Sequence, residues 1–126
     1  MGRGPTGTLG DRAEEQAFRF LIDRGLRLVA RNFRTRGGEI DLIMLDERCL
    51  VFVEVRYRRS TSFTKPGLTV DYRKQRKIIR TAALFGARNR AYANHVMRFD
   101  VIAIEGEDPP GIQWIRDAFR PNDSAL

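Results

Sequence analysis

Cysteine and histidine are almost absent from this chain: Cys49 and His95 are the only two among its 126 residues. A single thiol excludes an internal disulfide and a zinc cage built from thiolates. A single histidine excludes a histidine-rich metal site, and its predicted position in a turn makes it a poor candidate for a catalytic triad. Any chemistry must therefore rest on other side chains.

Long apolar runs are also missing. The most hydrophobic stretch, Leu50 to Val55, is interrupted by a charge and falls far short of the roughly 18 residues that a membrane span requires. The first ten residues, MGRGPTGTLG, lack the apolar segment of a secretory signal. We therefore expect a cytoplasmic protein without a membrane partner. It is predicted to consist of one domain over residues 11–120, with a flexible leader (1–10) and a tail (121–126).

Lysine is scarce, occurring only at positions 65, 74 and 77, whereas arginine is abundant and the formal net charge is +7. A strongly basic chain favours polyanionic partners, and the planar guanidinium suits phosphate oxygens. Codon bias alone can replace lysine by arginine on a solvated surface. The charge thus favours a nucleic-acid partner without deciding the question.

Periodicity and turn residues predict a mixed α/β fold. A helical pattern covers Asp11 to Arg24, and a second helix begins after Thr69 or Asp71 and ends near Asn89. Gly37 and Gly38 mark a turn, and residues 60–69 have the composition of a loop. The predicted strands are Leu26–Phe33, Ile40–Leu45, Leu50–Tyr57, Met97–Ile104 and a peripheral Ile112–Phe119. The predicted order is α-β-β-β-α-β-β.

Two acidic residues lie on the predicted hairpin between the second and third strands. If residues 46–49 form its loop, alternation of side chains places Asp41 across from Glu54 and Glu39 across from Arg56. Like charges opposed at about 5 Å destabilise a sheet. A divalent cation such as Mg²⁺ would relieve that repulsion, since it binds one or two carboxylates. Solvation, or neutralisation by Arg58 and other arginines, would do so as well.

A third acid, Glu14, projects from the first helix on the side that carries the apolar residues Ala13 and Ala17. A carboxylate beside a core is costly unless it has a partner. Its partner is either the same cation or an arginine on the sheet, and the residues alone leave both open.

Basic residues recur at helical spacing along the first half of the second helix, where they can follow a phosphate backbone or form a solvated face. In the late strand, Arg98 and Asp100 are interpreted as a structural ion pair. Trp114 and Phe119 are interpreted as packing residues at the sheet edge. The predicted nucleic-acid-binding residues are Arg73, Lys74, Arg76, Lys77 and Arg80.

Several ordered segments resemble the YraN-like family of small bacterial proteins. They are GDRAEEQAFRFLIDRGLRLVARNFRTRGGEIDLI, LVFVEVRYR, a basic helix beginning RKQRKI, and MRFDVIAI. That family is similar to archaeal Holliday-junction resolvases and to the wider PD-(D/E)xK nuclease superfamily. The resemblance implies a restriction-endonuclease-like fold with a central mixed sheet flanked by helices.

The resemblance also implies roles for individual residues. Asp41 and Glu54 match the two strand acids of the superfamily, and Glu14 matches the helix glutamate of junction resolvases. Arg56 departs from the pattern because the signature has lysine there, and an arginine stays protonated and so cannot act as a general base. It could still stabilise charge on the phosphate.

These observations predict an Mg²⁺- or Mn²⁺-dependent endonuclease acting on DNA, branched or structured DNA included. The expected metal ligands are Asp41, Glu54 and Glu14, with Arg56 as a further catalytic group and Glu39 and Arg58 in supporting roles. The alternative is a catalytically silent nucleic-acid-binding module of the same fold. The resemblance to resolvases further suggests a homodimer.

Overall fold

The computed structural model describes residues 9–58, 70–106 and 109–121. Its elements follow the predicted order α-β-β-β-α-β-β, and a short 3-10 turn, Arg90–Tyr92, follows the second helix. The helices and strands are α1 (Leu9–Asp23), β1 (Arg27–Thr35), β2 (Gly38–Asp46), β3 (Cys49–Arg58), α2 (Tyr72–Arg88), β4 (Val96–Glu105) and β5 (Gly111–Phe119).

The five strands form one mixed sheet in which spatial order equals sequence order, β1-β2-β3-β4-β5. Neighbouring strands are antiparallel except β3 and β4, which are parallel and joined by α2. A parallel pair needs such a crossover, because a tight turn cannot return the chain to the same end of the sheet. As predicted, β5 lies at an edge.

The predicted hairpin register between β2 and β3 is confirmed, since Leu45 pairs with Leu50. The predicted four-residue loop is wrong, because Asp46 and Cys49 also pair and leave only two residues in the turn. The first of these, Glu47, has a φ of 58°. A positive φ at a turn position is compatible with so tight a connection.

Each face of the sheet is covered by one helix. On one face, α2 contributes Ile78, Ala82 and Phe85 to a core that includes Phe52 and Phe99 of the central strands. The opposite face carries a second core, in which residues of α1 pack against residues of β2, β3 and β4. Its buried residues include Ala13, Ala17, Leu21, Leu42, Met44, Val51, Val53, Ile102 and Ile104. The result is a three-layer arrangement, with the central strands buried on both faces.

Strict alternation of side chains fails in β2 at Asp41. Ile40 and Ile43 both belong to the core beneath α2, whereas Leu42 belongs to the core beneath α1. Strict alternation along β2 would put Ile40 and Leu42 on the same face of the sheet, but they lie on opposite faces. The register with β1 is unchanged here, since Arg31 pairs with Leu42 and Phe33 with Ile40, but Asn32, which lies opposite Asp41, has a φ of 51°.

Arg98 and Asp100 form the ion pair predicted from the sequence. The guanidinium donates two hydrogen bonds of 2.9 Å to the carboxylate, and Trp114 Nε1 and the backbone N–H of Asp117 donate two more. Arg98 also contacts Asp46 at 3.2 Å. Because every oxygen of the buried carboxylate is bonded, its burial is compensated. This network ties β2, β4 and β5 together near the hairpin turn.

No helix among the described residues is long and apolar enough to cross a bilayer. Asp71, one of the two predicted capping residues, caps α2. The other, Thr69, lies outside the described residues together with the predicted loop 60–69 and most of the predicted leader and tail.

Candidate functional site

The candidate site lies where β2 and β3 separate. Their ladder of paired residues runs from the hairpin turn to Leu42 and Val53 and ends there. Beyond this point β3 continues beside β4, while the first residues of β2 continue beside β1. In the resulting fork, the backbone N–H of Val55 donates a 2.8 Å hydrogen bond to Oδ2 of Asp41. The carboxylate thus takes the place of the backbone carbonyl that a paired strand would offer. Asp41 therefore lies in the fork between the strands.

The pKa of Asp41 is raised to about 7. Burial is the main cause, followed by the negative charge of Glu54, with Glu14 and Glu39 adding to the effect. The hydrogen bond from Val55 opposes the rise but does not offset it. An aspartate in this position is short of positive charge and hydrogen-bond donors.

Glu14 of α1 reaches Asp41 across the α1 side of the sheet. The two carboxyl groups lie near each other, since the charge of Glu14 raises the pKa of Asp41. Burial raises the pKa of Glu14, and the charges of Glu39 and Asp11 raise it further, against the lowering influence of Arg31. The guanidinium of Arg31 influences Glu14 through its charge but bonds to Glu15, at 2.9 Å. A divalent cation as the partner of Glu14 stays a prediction.

Glu54 meets a different partner on the other face of the sheet. Its side chain is only 7% exposed, and Lys74 Nζ of α2 lies 2.7 Å from its Oε2. Burial lowers the pKa of Lys74, but the hydrogen bond and charge of Glu54, with the charge of Asp41, outweigh burial and raise it. The ammonium is therefore firmly held as a cation beside the acids.

Sequence reasoning assigned Lys74 to nucleic-acid contact and missed its ion pair with Glu54. The sequence did contain a signal that Lys74 lies in the first turn of α2, because Asp71 was predicted as a capping residue. With Asp71 as cap, Lys74 occupies the third helical position, and its backbone N–H donates to Asp71 Oδ1 at 2.9 Å. What the sequence did not show was that this first turn packs beside the fork.

Two of the predicted pairings at the site are wrong. Glu39 does not face Arg56 but lies across from Arg34 of β1, with an Nε–Oε2 distance of 3.2 Å. Asp41 and Glu54 are not a directly opposed pair, because the ladder ends one position earlier. Arg56 lies close enough to Lys74 for its charge to lower the pKa of that ammonium.

The predicted supporting residue Arg58 is the last residue of β3. Its backbone carbonyl accepts a hydrogen bond from Gly106. Within the described part of the chain, its Nη1 is buried and has no hydrogen-bond partner. The guanidinium thus keeps unused donor capacity.

A groove with a volume of about 380 Å³ adjoins the fork between the start of β2 and the start of α2. It is lined by Gly38, Glu39, Asp71, Arg73, Lys74, Lys77 and Ile78. Two of its acids are engaged, Glu39 with Arg34 and Asp71 as the helix cap. Arg73 and Lys77 form no ion pair within the described ranges, so the groove carries uncompensated positive charge.

The other two predicted phosphate-binding residues lie apart from this groove lining. Arg76 donates to the hydroxyl of Tyr72, at 3.3 Å, and lies over its ring. Arg80 is exposed one turn further along α2. The structure thus separates the predicted basic stripe into a part that borders the site and a part that extends away from it.

The donor chemistry of the cluster suits a hard divalent cation. Asp41, Glu54 and Glu14 offer only oxygen ligands, and the raised pKa of Asp41 marks a place where added positive charge is favourable. Among the described residues, no three side chains of the Asp, Glu, His or Cys types form a ready-made metal cage. Mg²⁺ does not need one, since it commonly binds through one or two carboxylates and keeps waters or substrate phosphate at its other positions.

Fold and site together define a small basic α/β protein with an acidic cluster at a strand fork, bordered by a basic helix. The family model described as "Uncharacterised protein family UPF0102" matches residues 13–104. The chain belongs to this family, and the predicted resemblance to YraN-like proteins is thereby confirmed.

Relatives from several bacteria match over most of their length. The chain is 46% identical to a UPF0102 protein of Pseudomonas putida strain W619, covering 87% of this chain and 91% of the relative. It is 47% identical to one of Pseudomonas syringae pv. syringae strain B728a, over 94% and 98%. A UPF0102 protein of Xanthomonas campestris pv. campestris strain B100 is 52% identical over 88% and 91%. These names assign a family and no reaction.

Proposed function

We propose that this protein is a metal-dependent endonuclease that hydrolyses phosphodiester bonds in DNA, branched or structured DNA included. The observation that carries the proposal is the fork itself. It brings Glu54 and Glu14, from opposite faces of the sheet, near enough to Asp41 for their charges to raise its pKa, with a lysine in contact with Glu54 and a basic groove alongside. Acids that raise the pKa of a neighbouring carboxyl group destabilise the fold, so their presence around Asp41 calls for a functional reason.

In this proposal Asp41 and Glu54 hold Mg²⁺ or Mn²⁺, and Glu14 supports Asp41 from α1. A cation held there would lower the pKa of a bound water and neutralise charge on the phosphate. Val55 supports the site indirectly, because its N–H fixes one oxygen of Asp41 and orients the other.

The basic residues have separate tasks. Arg56 remains protonated and can stabilise negative charge that develops on the phosphate, but it cannot remove a proton from water. Arg73 and Lys77 bind neighbouring phosphates in the groove and so position the strand, while Arg80 extends the contact along α2. Positioning and charge stabilisation are the main contributions a protein makes to reactions at phosphate.

The test is a cleavage assay with labelled linear, flapped and four-way DNA in Mg²⁺, in Mn²⁺ and in EDTA. We expect cleavage of at least one substrate only with metal. Glu54→Gln should lower the rate by roughly two orders of magnitude or more, the usual cost of removing a group that stabilises charge at the reacting centre. Glu47→Gln is the matched control, because Glu47 is exposed in the hairpin turn at the other end of β2. Metal-dependent cleavage that survives in Glu54→Gln would assign the activity to another site or to a contaminant.

A second candidate is a nucleic-acid-binding module without catalysis. It is favoured by Arg56 at the signature lysine position and by the ion pair that already neutralises Glu54. Isothermal calorimetry with MnCl₂ separates the two functions. The nuclease proposal requires Mn²⁺ binding that is lost in Asp41→Asn, whereas a module binds DNA but gives no such heat at millimolar Mn²⁺.

A further inference from the structure

Lys74 faces two environments at once. Its Nζ lies 2.7 Å from Glu54 Oε2, inside the acidic fork. Its side chain is nevertheless 48% exposed and lines the groove with Arg73 and Lys77. A half-exposed lysine on a flexible four-carbon stem can move between the two sides without disturbing the helix that carries it.

The ion pair occupies an oxygen that a metal at this site would need. Glu54 is almost fully buried and has this ammonium as its ion-pair partner within the described ranges. A divalent cation bound to the same carboxylate would repel an ammonium less than 3 Å from one of its oxygens, because like charges at such distances interact strongly away from bulk water. Metal and Lys74 therefore compete for Glu54.

The groove offers the displaced ammonium a new partner only when substrate is present. Glu39 and Asp71 are already engaged there, and Arg73 and Lys77 add positive charge. A phosphate of bound nucleic acid would supply the missing negative charge on that side.

We infer that Lys74 is an exchangeable cation that bonds Glu54 in the metal-free protein and moves to a substrate phosphate when a divalent cation takes its place. This inference rests on the function proposed above and adds a coupling to it. Metal binding frees a phosphate-binding group, so metal and nucleic acid should each strengthen the binding of the other, by the same factor.

The first test is a Mn²⁺ titration of the protein by calorimetry, without nucleic acid. Lys74→Gln removes the competitor and should bind Mn²⁺ roughly fivefold or more tightly than the wild type, the lower end of typical coupling between two sites. Lys77→Gln makes the same change one turn away in the groove and should leave Mn²⁺ affinity unchanged. Lys74→Arg keeps the positive charge, and its guanidinium can donate two hydrogen bonds to the Glu54 carboxylate. This variant should therefore bind Mn²⁺ no more tightly than the wild type.

The second test is the anisotropy of a fluorescein-labelled four-way DNA junction, measured with CaCl₂ or with EDTA. Ca²⁺ accepts the same oxygen ligands. Wild-type protein should bind the junction roughly fivefold or more tightly with Ca²⁺. Lys74→Gln should lose this gain, and Lys77→Gln should keep it despite weaker binding in both conditions. Far-UV circular dichroism and thermal melts of each variant report whether it is folded.

The outcomes distinguish this inference from the proposed function. Equal Mn²⁺ affinity in the wild type and in folded Lys74→Gln overturns the exchange and leaves the metal site intact. Tighter Mn²⁺ binding by Lys74→Arg than by the wild type also overturns it, even where Lys74→Gln does not fold. If wild-type protein binds no Mn²⁺ at all, both the proposed metal site and the proposed exchange of Lys74 are contradicted.

Discussion

Asp41 and Asp100 lie in the same sheet, but their carboxylates differ in the number of hydrogen bonds and in the charges that surround them. Asp100 is fully buried and accepts four hydrogen bonds, two of them from Arg98. Asp41 accepts one from a backbone N–H and is surrounded by other acids. The first arrangement satisfies the carboxylate and ties strands together. The second leaves negative charge uncompensated, which is what a cation site requires.

The raised pKa of Asp41 predicts an unusual pH dependence of stability. Its folded pKa of about 7 lies above its ordinary value of 3.8, so the folded state binds the proton more tightly than the unfolded state does. The stabilisation from this group is complete below about pH 4 and is lost as the pH rises through 7, with a slope of at most about 1.4 kcal/mol per pH unit. Asp41→Asn keeps an acceptor for Val55 and removes the charge. We expect it to be more stable than the wild type near pH 8 and nearly equal near pH 4.

Urea unfolding in EDTA at a series of pH values measures this difference. Glu47→Gln again serves as the control, since Glu47 is exposed in the hairpin turn. Parallel pH profiles for the wild type and Asp41→Asn would show that Asp41 is ionised normally in the folded protein.

Among the elements, α2 connects the site to the rest of the fold. Its first residues face the fork and the groove, while its second half is buried against the sheet through Ala82 and Phe85. The approach to β2 is close, because a methyl group at Gly38 would come within 2.9 Å of Thr81 Oγ1. Glycine at the first position of β2 therefore allows the helix to lie near enough for Lys74 to reach Glu54.

The cap of α2 is expected to influence the site as well as the stability. Asp71→Ala removes the acceptor for the backbone N–H of Lys74 and should lower the free energy of unfolding by about 1 kcal/mol. Because this bond fixes the first turn, the variant should also weaken the contact between Lys74 and Glu54. In the calorimetric assay it is therefore expected to bind Mn²⁺ more tightly than the wild type, though less so than Lys74→Gln.

Asp71→Ser is the matched variant, because serine caps a helix about as well as aspartate. It should restore both stability and Mn²⁺ affinity to near the wild-type values. If Asp71→Ala loses stability but leaves Mn²⁺ binding unchanged, the cap has no influence on the position of Lys74.

At the scale of the whole molecule, the charge is unevenly arranged. The chain carries a net charge of +7, yet several of its arginines are engaged locally. On the α1 side, Arg24 lies over Phe20 and Arg116 over Trp114. The cations that line the groove, by contrast, face open space beside the acids. This contrast favours the groove as the place where a polyanion binds.

We expect the groove to dominate the salt dependence of DNA binding. The double variant Arg73→Ala/Lys77→Ala should reduce the slope of log affinity against log salt by about 2, since each lost phosphate contact removes roughly 0.9. Arg24→Ala/Arg116→Ala removes the same charge from the α1 side and should change the slope little. Anisotropy titrations between about 50 and 200 mM salt measure both. Equal reductions in the two variants would mean that net charge, and no particular surface, attracts the DNA.

Much of the fold could be predicted from local patterns. The seven elements, their order, the hairpin register and the Arg98–Asp100 pair followed from periodicity and turn chemistry. The length of the turn between β2 and β3, and the break in side-chain alternation at Asp41, could not be predicted in this way. These depend on where β2 leaves β3 and on an irregular position in β1, and no residue of β2 itself signals either event.

The sequence by itself determined the ingredients: three carboxylates on the first helix and the hairpin, an excess of arginine, and amphipathic segments that can form only a layered α/β core. Tertiary structure decided the partners, because side-chain partners depend on which elements pack together. It placed Lys74 on Glu54, moved Glu39 to Arg34 and set Asp41 into the strand fork beside Glu14. Arg34 and Glu39 meet across the hairpin of β1 and β2. The contacts of Lys74 with Glu54 and of Glu14 with Asp41 join residues far apart in the chain, and only the packing of both helices against one sheet brings them together.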